Sequence, residues 1–468
     1  MAVMESASSL DGGVVEADAQ RHLTWFGIIR LGLVQTALGA IVVLTTSTLN
    51  RVMVVELMLP AMLPGILVGL HYAVQLSRPR WGYGSDMGGR RTPWIIGGMA
   101  VLALGGVGAA LSVALMAVHT WAGIAAALVA FVAIGVGVGA AGTSLLTLLA
   151  VEVAPGRRAP AATIVWVMMI VGFILTAGIA GGQLDPFTLT RLVTVTGIVC
   201  ALAFALTVVS VWGVETRRSR RMDAVTAQED EKPPFAEVMR EVWEEPKARQ
   251  FAIFVFASML AYSTQDLILE PFAGAVFGFT PGASTQLAGV QHSGVLVGMI
   301  VVALAGIGIR GRRIGSLRDW TVGGCVASGL ALFALAVGGF YPEVWPLEAN
   351  VFALGLANGA FAVAAIGSMM GLASEGGKKR EGVRMGLFGA AQAIAFGLGG
   401  LVGTMGIDIT RSLTDSISLP YTTVFTLEGV VFLVAAVLAA RIGMDALQER
   451  KNRLAVAGDG YLSGVGGP

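Results

Sequence analysis

The chain has 468 residues, of which 55% are hydrophobic and only 13% charged, with a formal net charge of +1. A soluble domain of this size carries roughly a quarter of its residues as charges, and the mean hydropathy of +0.76 excludes that class. A near-neutral balance gives no footprint for nucleic acid. The two cysteines, Cys200 and Cys325, lie in apolar runs and define neither a disulfide framework nor a metal cluster.

The chain begins with about twenty polar residues and shows no cleavable signal peptide, so 1–25 is expected to be a cytoplasmic tail. A bilayer-spanning helix needs ~20 mostly apolar residues. Such runs fall at about 26–49, 60–76, 94–118, 122–151, 162–183, 192–213, 251–270, 287–309, 320–340, 350–373, 385–407 and 421–440. The sequence therefore predicts an all-α integral membrane protein with twelve transmembrane helices. Its expected parts are an N-terminal six-helix bundle over 26–213, a linker over 214–249, a C-terminal six-helix bundle over 250–440 and a tail over 441–468. Within the linker, the spacing of Phe235-Ala-Glu-Val-Met-Arg-Glu-Val-Trp243 predicts an interfacial amphipathic helix.

The basic residues orient this map. With the N-terminus inside, the cytoplasmic loops collect Arg78, Arg80, Arg90, Arg91, Arg157, Arg158, the Arg217–Arg221 cluster, Arg310, Arg312, Arg313, Lys378, Lys379 and Arg380. The opposite loops keep only Arg51, Arg191 and Arg411 of the 31 basic residues. That asymmetry is the positive-inside pattern, and it places both termini in the cytoplasm. The halves also repeat. Gly89-Arg90-Arg91 recurs as Gly311-Arg312-Arg313, 222 positions on, and Glu152 with its arginines recurs as Glu375 with its basic cluster, 223 positions on. A constant offset predicts a six-plus-six duplication.

The sharpest local motif is Gly82-Tyr-Gly-Ser-Asp86-Met-Gly-Gly89-Arg90-Arg91. It resembles the signature loop of the major facilitator superfamily, with Met87 in place of the usual first basic residue. Asp86 in such a loop can accept charge-assisted hydrogen bonds from arginines and helix N-termini and so act as a conformational latch; the plainer alternative is a tight turn with topogenic arginines.

Longer strings are more specific. Thr48-Leu-Asn-Arg-Val-Met-Val-Val-Glu-Leu57, Pro60-Ala-Met-Leu-Pro64, Arg78-Pro-Arg-Trp81, Arg91-Thr-Pro-Trp94 and Gln265-Asp-Leu-Ile-Leu-Glu-Pro-Phe-Ala-Gly274 resemble the PucC/LhaA group, the bacteriochlorophyll delivery family within that superfamily. The resemblance spans about 26–440. It implies a protein of the photosynthetic inner (intracytoplasmic) membrane of a bacterium that handles bacteriochlorophyll, or a chlorophyll precursor, and helps assemble light-harvesting complexes. The implied partners are membrane lipids, antenna polypeptides or the reaction centre, and bacteriochlorophyll synthase with other pigment-synthesis enzymes. It singles out the polar motif residues Asn50, Arg51, Glu56, Gln265, Asp266 and Glu270.

A pigment with a central magnesium needs an axial ligand, commonly imidazole. Of the four histidines, His71 and His292 fall at membrane depth in corresponding helices, and ionisable groups there are candidates for function. The alternative for each is a neutral imidazole bonded to a neighbouring helix. His22 lies in the tail and His119 beside Trp121 at a membrane edge. No direct metal site is predicted. Glu56 and Glu270 are read as the far ends of the first and seventh spans, with Arg51 the expected partner of Glu56, while Glu428 lies within the twelfth. No phosphate loop, zinc pattern or nucleophile elbow is present, so no enzyme activity is expected. Two rival readings remain at this point: a proton-coupled transporter of a small solute, and an assembly scaffold that binds no pigment.

Overall fold

The computed structural model describes residues 23–76, 90–154, 157–214, 240, 243–307, 314–374 and 381–463. Among these, eleven helices are long and apolar enough to cross a membrane, and Met62–Gln75 is a shorter apolar helix. In chain order they are α1 (Trp25–Glu56), α2 (Met62–Gln75), α3 (Thr92–Met116), α4 (Thr120–Glu152), α5 (Arg158–Leu184) and α6 (Leu189–Val211). Then follow α7 (Pro246–Phe277), α8 (Pro281–Ile307), α9 (Leu317–Gly338), α10 (Leu347–Ser374), α11 (Glu381–Leu413) and α12 (Leu419–Ser463). This is the all-helical, twelve-helix architecture that the hydropathy predicts, with α2 below full span length. The protein is a multi-pass membrane protein.

Two boundaries are corrected. α1 continues to Glu56, past the expected end at 49, so Arg51 lies inside a helix and not in a loop. α7 continues to Phe277, so Asp266 and Glu270 lie within it and Glu270 does not end the span. In both cases polar side chains that lower local hydropathy are buried against other helices. The Asp86 loop lies outside the described residues, as does most of the 235–243 segment.

The chain forms two compact units, one of residues 1–45 and 74–230, the other of 46–73 and 231–468. In the first unit, α3 packs along α4, and α1 packs on α5 and α6. Small residues set these distances: a Cβ on Gly137 would stand 2.5 Å from the backbone nitrogen of Leu102. Arg30 closes the end of α6, donating from Nη2 to the carbonyls of Val209 (3.1 Å) and Trp212 (2.7 Å). Cationic side chains satisfy helix C-terminal carbonyls in this way.

In the second unit α8 pairs with α10, α7 with α11, and α9 with α10 and α12. The α8–α10 contact is made by two Gly-xxx-Gly pairs, Gly294 with Gly298 and Gly355 with Gly359. A Cβ on Gly298 would stand 2.1 Å from the Leu356 carbonyl, and one on Gly359 would stand 2.0 Å from that of Val295. Without a hydrophobic drive between helices in lipid, such close backbone packing supplies the attraction. An aromatic core of Phe272, Tyr421, Phe425, Phe361 and Phe432 fills the space among α7, α10 and α12.

Candidate functional site

The site starts with an irregularity in α1. Leu44–Thr48 and Val52–Glu56 are π-helical, with a short α-helical turn at Leu49–Arg51 between them. The sequence there is rich in β-branched and hydroxyl residues. Thr45 bonds back from Oγ1 to the carbonyls of Ile41 (3.1 Å) and Val42 (3.0 Å). Such back-bonding competes with the regular ladder, and π turns are frequent at functional sites.

Within the second unit, these turns present a row of polar side chains to α7 and α8. Ser47 Oγ donates to Glu270 Oε1 at 2.5 Å, and Ser284 Oγ reaches the other oxygen at 3.5 Å. The hydroxyls of Thr48 and Thr285 bond at 3.0 Å. Arg51 is 2% exposed; its Nη1 pairs with Glu56, and its Nη2 donates to the Phe279 carbonyl at 2.7 Å.

Asn50 explains the proline in its partner string. Pro271 has no N–H, so the carbonyl four residues earlier, at Leu267, loses its helical donor. Asn50 Nδ2 donates to that Leu267 carbonyl instead. The two family-like strings thus form one structure: the polar side chains of the first complete the interrupted backbone and the buried carboxylate of the second.

Further polar groups adjoin this row. Asp266 lies against Gln291 of α8, and Glu428 of α12 is within electrostatic reach of Asp266. Gln265, fully buried, has no hydrogen-bond partner for either amide atom, and neither does Glu428 for either oxygen. Asp408, on α11, accepts from the backbone N–H groups of Ala61 (2.9 Å) and Met62 (2.7 Å), and so caps the start of α2 from another helix. Sequence reasoning missed this cap and the Asn50–Leu267 bond. Pro271 was the signal available for the second.

The two histidines lie on different helices. His71, on α2, is 2% exposed, with its ring edge-on to Tyr72 at 4.8 Å. Tyr72 in turn meets Phe396 at 5.4 Å. His292, on α8, is half-buried, and its Nδ1 lies 2.8 Å from the Ala288 carbonyl. With Nδ1 as donor to that carbonyl, Nε2 carries the lone pair a metal would use. Of the latch motif, Gly82, Asp86 and Gly89 lie outside the described residues. Arg90 is exposed, and Arg91 is buried at the start of α3.

In the first unit, α3 and α4 leave an apolar groove of about 510 Å³, lined by Leu104, Leu111, Leu115, Val129 and small residues between them. Its walls are hydrocarbon apart from Ser112.

The family model described as "PUCC protein" matches residues 48–446, which include both polar strings. The chain belongs to the PucC family. A Rhodobacter capsulatus relative named "Bacteriochlorophyll synthase 44.5 kDa chain" is 52% identical over 90% of this chain and 96% of its own length. "Protein PucC" of Cereibacter sphaeroides is 31% identical over 88% of this chain and 91% of its own. Among solved structures, a bacterial homologue of the lysosomal transporter Spinster is 17% identical with a TM-score of 0.64, covering 89% of this chain and 95% of that one. A proton-dependent oligopeptide transporter is 16% identical with a TM-score of 0.65, covering 89% and 97%. At such identities these likenesses show the fold, which is that of the major facilitator superfamily.

One expectation is overturned here. Sequence motifs predict no enzymatic role, yet the 52%-identical PucC-family relative carries the name of a synthase chain, which implies an enzymatic association. Phosphate loops, zinc ligands and nucleophile elbows report only the reactions that use them, so their lack could not exclude such an association.

Proposed function

We propose that this PucC-family protein handles bacteriochlorophyll within the photosynthetic membrane, in association with bacteriochlorophyll synthase, and supports the assembly of light-harvesting complexes. The observation that carries this reading is the 52% identity, over 90% of the chain, to a protein named as a chain of bacteriochlorophyll synthase. The relatives named PucC support the antenna side of the role.

The residues suit a lipid-soluble cargo. His292 presents Nε2 as the lone-pair nitrogen when Nδ1 donates to Ala288, and magnesium accepts an imidazole as axial ligand. His71, buried beside Tyr72, is the second candidate. Separately, within the first unit, the α3–α4 groove offers hydrocarbon contact over about 510 Å³, which suits an apolar cargo. Cargo that dissolves in hydrocarbon needs no aqueous path, so hand-over in the plane of the bilayer suffices. In this reading both termini face the cytoplasm and the Asp86 loop serves as the latch.

The test is gentle purification from a photosynthetic host, with the absorption spectrum recorded and co-purifying proteins identified. Bound bacteriochlorophyll, with synthase or antenna polypeptides present, is the expected result. His71→Phe and His292→Phe should identify the ligand, because one of them should lower pigment content severalfold. A colourless protein, together with normal light-harvesting levels in a deletion strain, would overturn the proposal.

A second reading, a proton-coupled solute transporter, is favoured by one observation: Asp266 and Glu428 are carboxylates at membrane depth with unpartnered oxygens. Reconstituted vesicles that accumulate a solute in response to a proton gradient, and lose this in Glu428→Gln, would establish it.

A further inference from the structure

The end of the first unit where α1 begins differs chemically from its other end. Among the unit's described residues, Arg30, Arg90, Arg91, Arg157 and Arg158 gather there, and Arg191 alone lies opposite. The described carboxylates of the unit are Glu152, which is 3% exposed, and Asp185, at the far end of α5. In the sequence Arg217, Arg218, Arg220 and Arg221 follow α6, with Glu215 just before them. The surface at this end therefore carries positive charge that no described carboxylate neutralises.

Three contacts draw the elements of this end together. The Leu23 N–H donates to the Glu152 carbonyl at 2.9 Å, which ties the start of α1 to the end of α4. The guanidinium of Arg157, at the start of α5, lies over the Trp25 ring, 5.7 Å from its centroid. Arg30 Nη2 is fixed by the carbonyls of Val209 and Trp212 at the end of α6. Beneath these side chains Ile28, Leu31, Val153, Val211 and Val214 form a buried apolar core, so the surface above rests on a packed floor.

Helical spacing puts Trp25, Ile29, Phe26 and Arg30 within one arc of α1. About 7.5 Å of helix rise separates Trp25 from Arg30, so the guanidinium groups of Arg157 and Arg30 flank one short stretch of the helix. The apolar members of the arc face outward. Phe26 is 70% exposed and Trp212 76%, and Trp25, Ile29 and Val209 are exposed as well. Aromatic rings at a bilayer edge are ordinary anchors that select no headgroup. Here they surround guanidinium donors that are not used up. Nε and Nη1 of Arg30 hold no hydrogen bond among the described residues, and Arg157 forms no ion pair among them.

Guanidinium groups suit phosphate, and basic clusters beside a transmembrane helix attract anionic lipid. A free phosphate would use the arginines alone and leave the exposed rings without a role. A molecule that joins a phosphate to hydrocarbon uses both. We propose that Arg30 and Arg157 form a binding site for an anionic phospholipid, its headgroup on the guanidinium groups and its chains along Phe26, Ile29, Val209 and Trp212. The site belongs to the first unit alone and is independent of any pigment role.

The test is photo-crosslinking of the full chain in mixed micelles that carry phosphatidylglycerol or phosphatidylcholine, each with a diazirine in one acyl chain. Peptide mass spectrometry should place the phosphatidylglycerol label on Phe26, Ile29, Val209 or Trp212 or their neighbours, severalfold above the phosphatidylcholine label there. Arg30→Gln and Arg157→Gln should each lower it about fivefold, the factor that one interfacial basic residue supplies. Arg30 also closes the end of α6, so Ile29→Glu is the second variant: it leaves both arginines in place and should expel the lipid by charge. Unlabelled phosphatidylglycerol should compete, and inorganic phosphate should not. Equal labelling by the two lipids, or label spread evenly over the lipid-facing helices, would overturn the proposal. So would competition by phosphate alone, or undiminished labelling in Ile29→Glu. The comparison of the two lipids needs no variant, so a variant that does not fold leaves the question decidable.

Discussion

The guanidinium of Arg51 rests on Gly274: a Cβ at that glycine would stand 2.9 Å from Nη2 and 3.0 Å from Nε. Gly274→Ala should therefore push the guanidinium off its seat and destabilise the protein by about 1–3 kcal/mol, as overpacking does. Arg51→Leu should cost about 1–3 kcal/mol, because the Phe279 carbonyl loses its donor while the carboxylate of Glu56, 35% exposed, can turn to water. Glu56→Gln should cost more, about 3–5 kcal/mol, because it leaves the guanidinium of Arg51, 2% exposed, without its anion. Thermal unfolding of the detergent-solubilised variants gives the ranking, and Gly274→Ala should become nearly neutral once Arg51 is Leu.

A double-mutant cycle tests whether Asn50 substitutes for the proline's missing donor. Asn50→Ala alone should cost about 1–3 kcal/mol, because the buried Leu267 carbonyl loses its partner. In a Pro271→Ala background, residue 271 regains an N–H that can bond Leu267 within the helix. The cost of Asn50→Ala should then shrink by at least half. Equal costs in the two backgrounds would show that the bond to Leu267 contributes nothing to stability.

The α8–α10 contact predicts a steep dependence on side-chain size. Gly359→Ala forces a Cβ against the Val295 carbonyl, and Gly359→Leu forces a whole side chain there. The helices must separate, giving a progressive fall in melting temperature and, for Leu, aggregation on size-exclusion chromatography. Gly323→Ala, where a Cβ meets open space, serves as the control.

Capping of α2 by Asp408 predicts that Asp408→Ala loses about 0.5–2 kcal/mol, the usual value of a helix cap. Asp408→Asn should retain part of it, since one amide oxygen still accepts. Hydrogen exchange at Ala61 and Met62 should rise in the Ala variant before exchange elsewhere in α2 does.

Much of this architecture was legible because lipid imposes a simple rule: a helix must be apolar for about twenty residues. The apolar stretches of α3, α4 and α6 announced themselves for that reason. The rule misled at Arg51 and Glu270, where a buried polar row looks like the end of a span. Hydropathy averages over a helix and cannot see that Ser47 and Glu270 satisfy each other across 223 residues of sequence. The pairing of Arg51 with Glu56 was within reach because it is local. The Asp408 cap was not, for nothing near Asp408 in the sequence points to Ala61.

The Asn50–Leu267 bond joins residues 217 positions apart, and this bears on how the chain is made. A ribosome delivers α1 to the membrane long before α7. When α7 arrives, its helix carries a carbonyl that its own backbone cannot satisfy, a defect worth several kcal/mol in hydrocarbon. The donor for it is already in the bilayer. α1 thus serves as a waiting template, and the second unit acquires its full set of backbone bonds only by recruiting a segment synthesised first.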